Sequence, residues 1–388
     1  MMTDYKITGF FLKARLVDKW SPTKYEAKKF GAPCFPYHEK VLSEDASEDC
    51  LIINVVSPSE QKQNLPVLVY IHGGGFEFGS SIDLGYKKLS NVIASHGIVV
   101  VTIQYRLGPF APGNIGLWDQ ALALRFINEI ITSFAGDPNR ITIADLFSQA
   151  FLMSGSTFAE FALSENVVKE SENLAKELNC HFGNDSAKTL SWLHEVSPHD
   201  VIAAVDRIGC SRAHVNSLLF HPRLDGDFFP RSIDELAKTA TPKRTVTGFT
   251  DRDSAMFALY EEQRFVSGVA LSMEQRRNYS RKILEDFITT VVVTDREHCE
   301  DADEFRKLLV DFYVNKYEKK GDSQFYLRRF IELLTDVQFV IPAMQELRLK
   351  QMNGWPLWLY IIDQDFTKAY EGKIIRSKVS ILLFCSRL

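Results

Sequence analysis

No apolar run in this 388-residue chain approaches the roughly 20 residues needed to cross a bilayer. The most apolar tail stretch, Val379 to Cys385, is seven residues long, which excludes a transmembrane anchor. There is no basic excess either: 45 Lys and Arg stand against 50 Asp and Glu, spread along the chain for a net charge of -5. That balance gathers neither nucleic acid nor anionic lipid, so no nucleic-acid partner is expected. The first twenty residues mix charges with Phe10, Phe11 and Leu12 and lack a small-residue cleavage site. A secretory leader is therefore not expected, and the cytoplasm is the compartment the sequence suggests as written. Cysteine is scarce, with six residues, too few for a disulfide scaffold, and reduced thiols are the default expectation. Internal repeats, low-complexity tracts and Pro/Gly/Ser linkers are also missing, so residues 1–388 are expected to form a single domain.

What is present is ample core material, 45% hydrophobic residues, arranged as short apolar runs alternating with amphipathic segments. This is the pattern of an α/β fold, a mostly parallel sheet flanked by helices. Val67 to Ile71 and Ile98 to Ile103 are β-branched and nearly unbroken, as strands buried on both faces require. Ile141 to Ile143, Thr245 to Thr247 and Leu357 to Ile362 read as further strands. Leu117, Ala121, Leu124, Ile127 and Ile131 recur at helical spacing, and a second helix is expected from Glu165 to Leu178 with Val167, Val168, Leu174, Ala175 and Leu178 on its apolar face. The charged helical pattern from about 255 to 350 is expected to cover one end of the sheet.

His72-Gly73-Gly74-Gly75-Phe76 follows directly on a predicted buried strand. Three successive glycines let backbone N–H groups converge on one point, the geometry of an oxyanion hole. A plain tight turn and a dinucleotide phosphate loop are the competing readings; the second needs G-x-G-x-x-G opening a helix, and the spacing from Gly73 to Gly79 does not fit it. His298 and Cys299 are adjacent, which is not zinc-ligand spacing, so neither metal nor cofactor is expected.

The chain resembles the type-B carboxylesterase and cholinesterase family of the α/β-hydrolase fold. The resemblance rests on Ser47-Glu48-Asp49-Cys50-Leu51, the glycine loop at 72–76, Tyr105-Arg106-Leu107-Gly108-Pro109, the run from Ala111 to Gln120, the run from Gly136 to Ile143, and Ser154-Gly155-Ser156, in the family's order. It implies small-molecule carboxylic esters as partners, an oxyanion hole built on the N–H groups of Gly74 and Gly75, and Asp253 at the position of the triad acid. It also implies a possible Cys34–Cys50 disulfide and leaves Cys180 unpaired, since Ser191 stands where that cysteine's partner would be.

Against this pattern the chain departs in three places. No G-x-S-x-G occurs, and the nucleophile serine with its elbow, due just after Ile143, gives way to Ala144-Asp145-Leu146. A parallel crossover needs about a dozen residues, so the segments either side of this junction are expected not to pair as neighbouring strands, leaving the sheet centre incomplete and its surface uncovered. A shorter internal deletion is expected between Phe110 and Ala111, and the carboxyl-terminal run from Ser377 departs from the family pattern, so the sheet is expected to be incomplete there as well. No histidine follows His298, which lies in a charged run and is a poor general base. The expectation is a catalytically inactive or severely impaired, truncated family member. Two alternatives stand beside it: an active carboxylesterase if the gene product restores the missing segments, and a non-catalytic cholinesterase-like adhesion protein. Substrate identity and oligomeric state are not legible.

Overall fold

The computed structural model describes residues 13–16, 27, 29–59, 62–108, 113–142, 147–180, 182–183, 185–210, 215, 218–259, 267–294, 301–316, 322–363 and 380–385. Both predicted deletion points and the His298–Cys299 pair lie outside the described residues.

Eight strands form one sheet: β1 Ile53–Val56, β2 Leu65–Ile71, β3 Val99–Ile103, β4 Gly136–Thr142, β5 Gln149–Met153, β6 Arg244–Thr250, β7 Leu357–Asp363 and β8 Ser380–Cys385, in the order β1-β3-β2-β4-β5-β6-β7-β8. The edge pairs β1/β3 and β7/β8 are antiparallel, and every pair between them is parallel. The β-branched runs sit where their composition directs them: Val99, Val101 and Ile103 are fully buried, as is Val69. They pack against helix α1, Ile115–Ile130, through Ala123, Leu124 and Ile127, so Leu124, Ile127 and Ile131 of the predicted stripe join the strands' core, whereas Leu117 and Ala121 do not. Helix α2, Asn166–Glu177, buries Leu174 and Ala175 as expected, but Val168 stands 40% exposed. With α3, Ser186–Leu193, and α4, Pro198–Ile208, it builds a second core around Val201, Val205 and Phe220. Between 255 and 350 lie α5, Arg281–Phe287, α6, Ala302–Val310, α7, Ser323–Thr335, and α8, Ile341–Met352, with a core of their own centred on Leu284, Phe330 and Leu334.

The structure corrects the expectation that the sheet cannot be continuous across the junction after Ile143. β4 and β5 are parallel neighbours, but they share one register position, Thr142 with Gln149. A crossover is needed only when the chain must return to the foot of the preceding strand. Here it does not return: β5 starts level with the point where β4 ends and continues in the same direction. Ser148 closes the sidestep by donating its N–H to the Ile141 carbonyl at 2.8 Å and its Oγ to the same oxygen at 3.0 Å.

The cost of that sidestep is visible on β5. From Ala150 to Met153 the strand is paired only on its β6 side among the described residues. Phe151 is 45% and Met153 61% exposed, on a strand at the middle of an eight-stranded sheet. The expectation of uncovered surface thus holds although the expectation of a broken sheet does not. At the other end, the run read as divergent from the family forms β8, which pairs with β7 over six positions, Ser380 to Cys385. The default of reduced thiols is also corrected: Cys34 and Cys50 are joined, as the family resemblance implies, while Cys180 is free and buried.

Candidate functional site

All six central parallel strands point their carboxyl ends to one edge of the sheet, where open α/β sheets place their sites. The triple-glycine turn leaves β2 there. Gly74 has φ 117°, Gly75 φ 62° and Phe76 φ 60°, so three successive residues occupy the left-handed half of backbone space. A Cβ on Gly74 would fall 2.0 Å from the Phe78 carbonyl oxygen, so a side chain there would break the turn. The Gly74 carbonyl accepts from the N–H groups of Glu77 (3.0 Å) and Phe78 (3.3 Å), and Gly108 N–H donates to the Phe76 carbonyl at 3.0 Å. The N–H groups of Gly74 and Gly75 themselves meet no acceptor among the described residues.

His72 anchors the turn from behind. Its ring stacks on Tyr105 at 4.3 Å, its Nδ1 donates to the Gly73 carbonyl at 2.9 Å, and the Tyr105 hydroxyl donates to the His72 carbonyl at 2.7 Å. Burial holds its pKa below the usual histidine value, so the ring is a neutral structural group. From outside, the Tyr37 N–H donates to the Glu77 carbonyl at 2.8 Å, which ties the turn to the disulfide-closed segment 34–50.

Asp253 lies three residues past the end of β6. Its carboxylate accepts from Thr250 N–H at 3.0 Å and from Thr250 Oγ1 at 2.9 Å. Burial raises its pKa, and the nearby Ser154 side chain and the bonds from Thr250 oppose that rise. Ser154 is the residue the sequence reading quoted without giving it a role. It terminates β5 with φ 56°, donates its N–H to Gly248 O at 2.8 Å, and is followed by a segment pinned to α8 through Ser156 Oγ to Pro342 O (2.9 Å) and Thr157 N to Glu346 Oε2 (2.9 Å). A serine directly after a short apolar strand is the signal that could have found it.

The turn and the acid are thus on one edge but on different strands, with β4 and β5 between β2 and β6. β2 runs three residues beyond the level of Thr142 and β5 runs four beyond it. No histidine hydrogen-bonds Asp253 among the described residues. His38 is paired with Asp206 at 2.7 Å, and His221 Nδ1 donates to Pro222 O at 2.9 Å. No group of three or more His, Cys, Asp or Glu among the described residues could hold a metal ion, and no described helix is long and apolar enough to cross a membrane.

A model of the carboxylesterase family matches residues 11–145 and 143–378, two pieces that meet at the β4–β5 junction. The chain is 32% identical over 384 residues to gut esterase 1 of Caenorhabditis briggsae, covering 91% of this chain and 67% of that protein. It is 31% identical over 350 residues to the para-nitrobenzyl esterase of Bacillus subtilis (82% of this chain, 63% of that one). It is also 31% identical over 248 residues to the acetylcholinesterase of Bungarus fasciatus (55% and 40%). The chain spans about two thirds of the length of the Caenorhabditis briggsae esterase.

Proposed function

The chain belongs to the carboxylesterase family, and from that premise we propose that it is a catalytically silent member, which keeps the ester-recognising turn and the acid but cannot turn esters over. The observation that carries this reading is the handover at Thr142 and Gln149. Only six residues, 143–148, separate the two strands, and the elbow and helix of the family's site need more than a dozen. The break in the family match at 143–145 supports the same reading.

The family's reaction needs a serine hydroxyl, an imidazole that takes its proton and an acid that orients the imidazole. Asp253 stands at the third position and the glycine turn would polarise the ester carbonyl. Without the first two groups the barrier rises by roughly 8 kcal/mol, about a million-fold in rate. The oxyanion hole is weakened as well, because its third donor is the N–H of the residue after the nucleophile.

Ser154 supports a second reading, since it combines a left-handed turn after a strand with proximity to the acid. That proximity does not make it a nucleophile: a carboxylate is a far weaker base than imidazole toward a hydroxyl, so the proton stays on oxygen. Hydrolysis of p-nitrophenyl butyrate by the purified chain tests both readings. The expected rate equals that of buffer and is unchanged in Asp253→Ala and Ser154→Ala. Saturable turnover that either substitution abolishes would defeat the proposal.

A further inference from the structure

A cavity of about 410 Å³ lies beside the glycine turn and away from the acid, at the core shared by α1 to α4. Its volume is within the usual range for small-molecule sites, about 300–1,000 Å³. The floor is apolar, formed by Leu174, Ala175, Leu190, Val201 and Phe220. Neither Gly74, Gly75 nor Asp253 borders it; Phe76, the last residue of the turn, does.

Two of the three charged side chains in its wall are ion-paired, and the third, Glu172, is exposed to solvent. Arg106 is buried and clamps Asp119 through Nε at 2.8 Å and Nη2 at 2.6 Å. Arg223 faces Glu165 at 3.6 Å, and its backbone is locked to Asn114 by reciprocal bonds of 2.9 Å. A carboxylate ligand would therefore compete with Asp119 or Glu165 for these guanidinium groups, and the exposed Glu172 offers a cation only a solvent-screened charge.

Two polar atoms are different, and one of them is Arg223 Nε, a buried donor with no hydrogen-bond partner. His221 is 7% exposed and lines the cavity, and its Nε2 has no hydrogen-bond partner. Its Nδ1 lies 2.9 Å from the Pro222 carbonyl oxygen, which can only accept, so Nδ1 carries the proton and Nε2 carries a lone pair. An apolar cavity with one buried acceptor and one buried donor selects a ligand whose single polar group can both donate and accept, on an apolar body. We propose that this cavity binds a neutral aliphatic alcohol, its hydroxyl donating to His221 Nε2 and its chain lying against Leu174, Ala175 and Val201. Burial keeps His221 neutral near pH 7, which preserves the acceptor.

Calorimetric titration of the whole chain with 1-octanol, methyl octyl ether, octanoate and octyltrimethylammonium tests this directly. 1-Octanol is expected to bind about tenfold more tightly than the ether, the ratio one hydrogen bond supplies, and more tightly than either ion. In His221→Phe the alcohol and ether should bind alike, and His221→Gln, which returns an acceptor, should restore part of the preference. Ala175→Phe, or Leu190→Trp if that variant does not fold, should fill the cavity and abolish binding of both. Equal affinity for alcohol and ether in the unaltered chain, an alcohol preference that survives His221→Phe, tighter binding of an ion, or no binding at all would overturn the proposal. None of these readouts depends on turnover, so the outcome is independent of whether the chain hydrolyses esters.

Discussion

Opening the Cys34–Cys50 bridge should destabilise the whole chain and loosen the glycine turn. The two cysteines are 16 residues apart, and closing a loop of that size removes roughly 3 kcal/mol of unfolded-chain entropy. Both sulfurs are buried in a cluster with Leu51, Leu122 and Phe126, so replacing them with alanine adds about 1 kcal/mol of lost packing. Cys34→Ala/Cys50→Ala is therefore expected to lose about 4 kcal/mol. Reductant alone should take about 3 kcal/mol from the unaltered chain and nothing from the variant. Urea midpoints followed by tryptophan fluorescence, with and without reductant, give these three numbers. Hydrogen exchange adds a local readout, because the Tyr37 N–H that donates to Glu77 O at 2.8 Å belongs to the closed segment. The reasoning is refuted if reductant shifts the variant as much as the unaltered chain, or if the double substitution costs less than about 0.5 kcal/mol.

Other expectations can be checked on the same apparatus. Gly248→Ala should cost about 3 kcal/mol, since its Cβ would lie 2.1 Å from the Tyr360 carbonyl oxygen and 2.5 Å from that residue's ring. Met153→Ala, on the uncovered part of β5, should stay within about 0.5 kcal/mol, whereas Ile127→Ala, fully buried under the sheet, should cost about 2–5 kcal/mol. Burial lowers the pKa of His72 and His221 in the fold, so each contributes stability above the ordinary histidine value of about 6.5 that is lost as pH falls below it. Urea midpoints between pH 8 and pH 5 should fall on the acid side, and His221→Phe should flatten part of that fall.

The strands β2, β3 and β7 were legible because buried β-branched runs have few other uses, and the turn was legible because three glycines after a strand are rarely neutral. Asp253 was legible only through the family's order of segments; nothing in Thr250-Asp251-Arg252-Asp253 separates it from its neighbours. The β4–β5 sidestep was misread because pattern arguments treat parallel neighbours as fully overlapping, while here the overlap is a single position. Ser154 went unassigned because φ 56° is a property of the folded turn and not of the residue type. The His221 cavity depends on side chains from four helices and a loop, none adjacent in sequence, so no local motif announces it. The exposure of Phe151 and Met153 was foreseen in kind, from the missing covering helix, but not in place.

The central claim is that no activated serine stands at the carboxyl edge of this sheet. Intact-mass measurement after treatment with a serine-directed fluorophosphonate, beside an intact esterase as control, tests it most directly. The chain should keep its unmodified mass while the control gains one adduct per molecule; a full adduct on this chain, mapped to Ser154 or any other serine, would contradict the account.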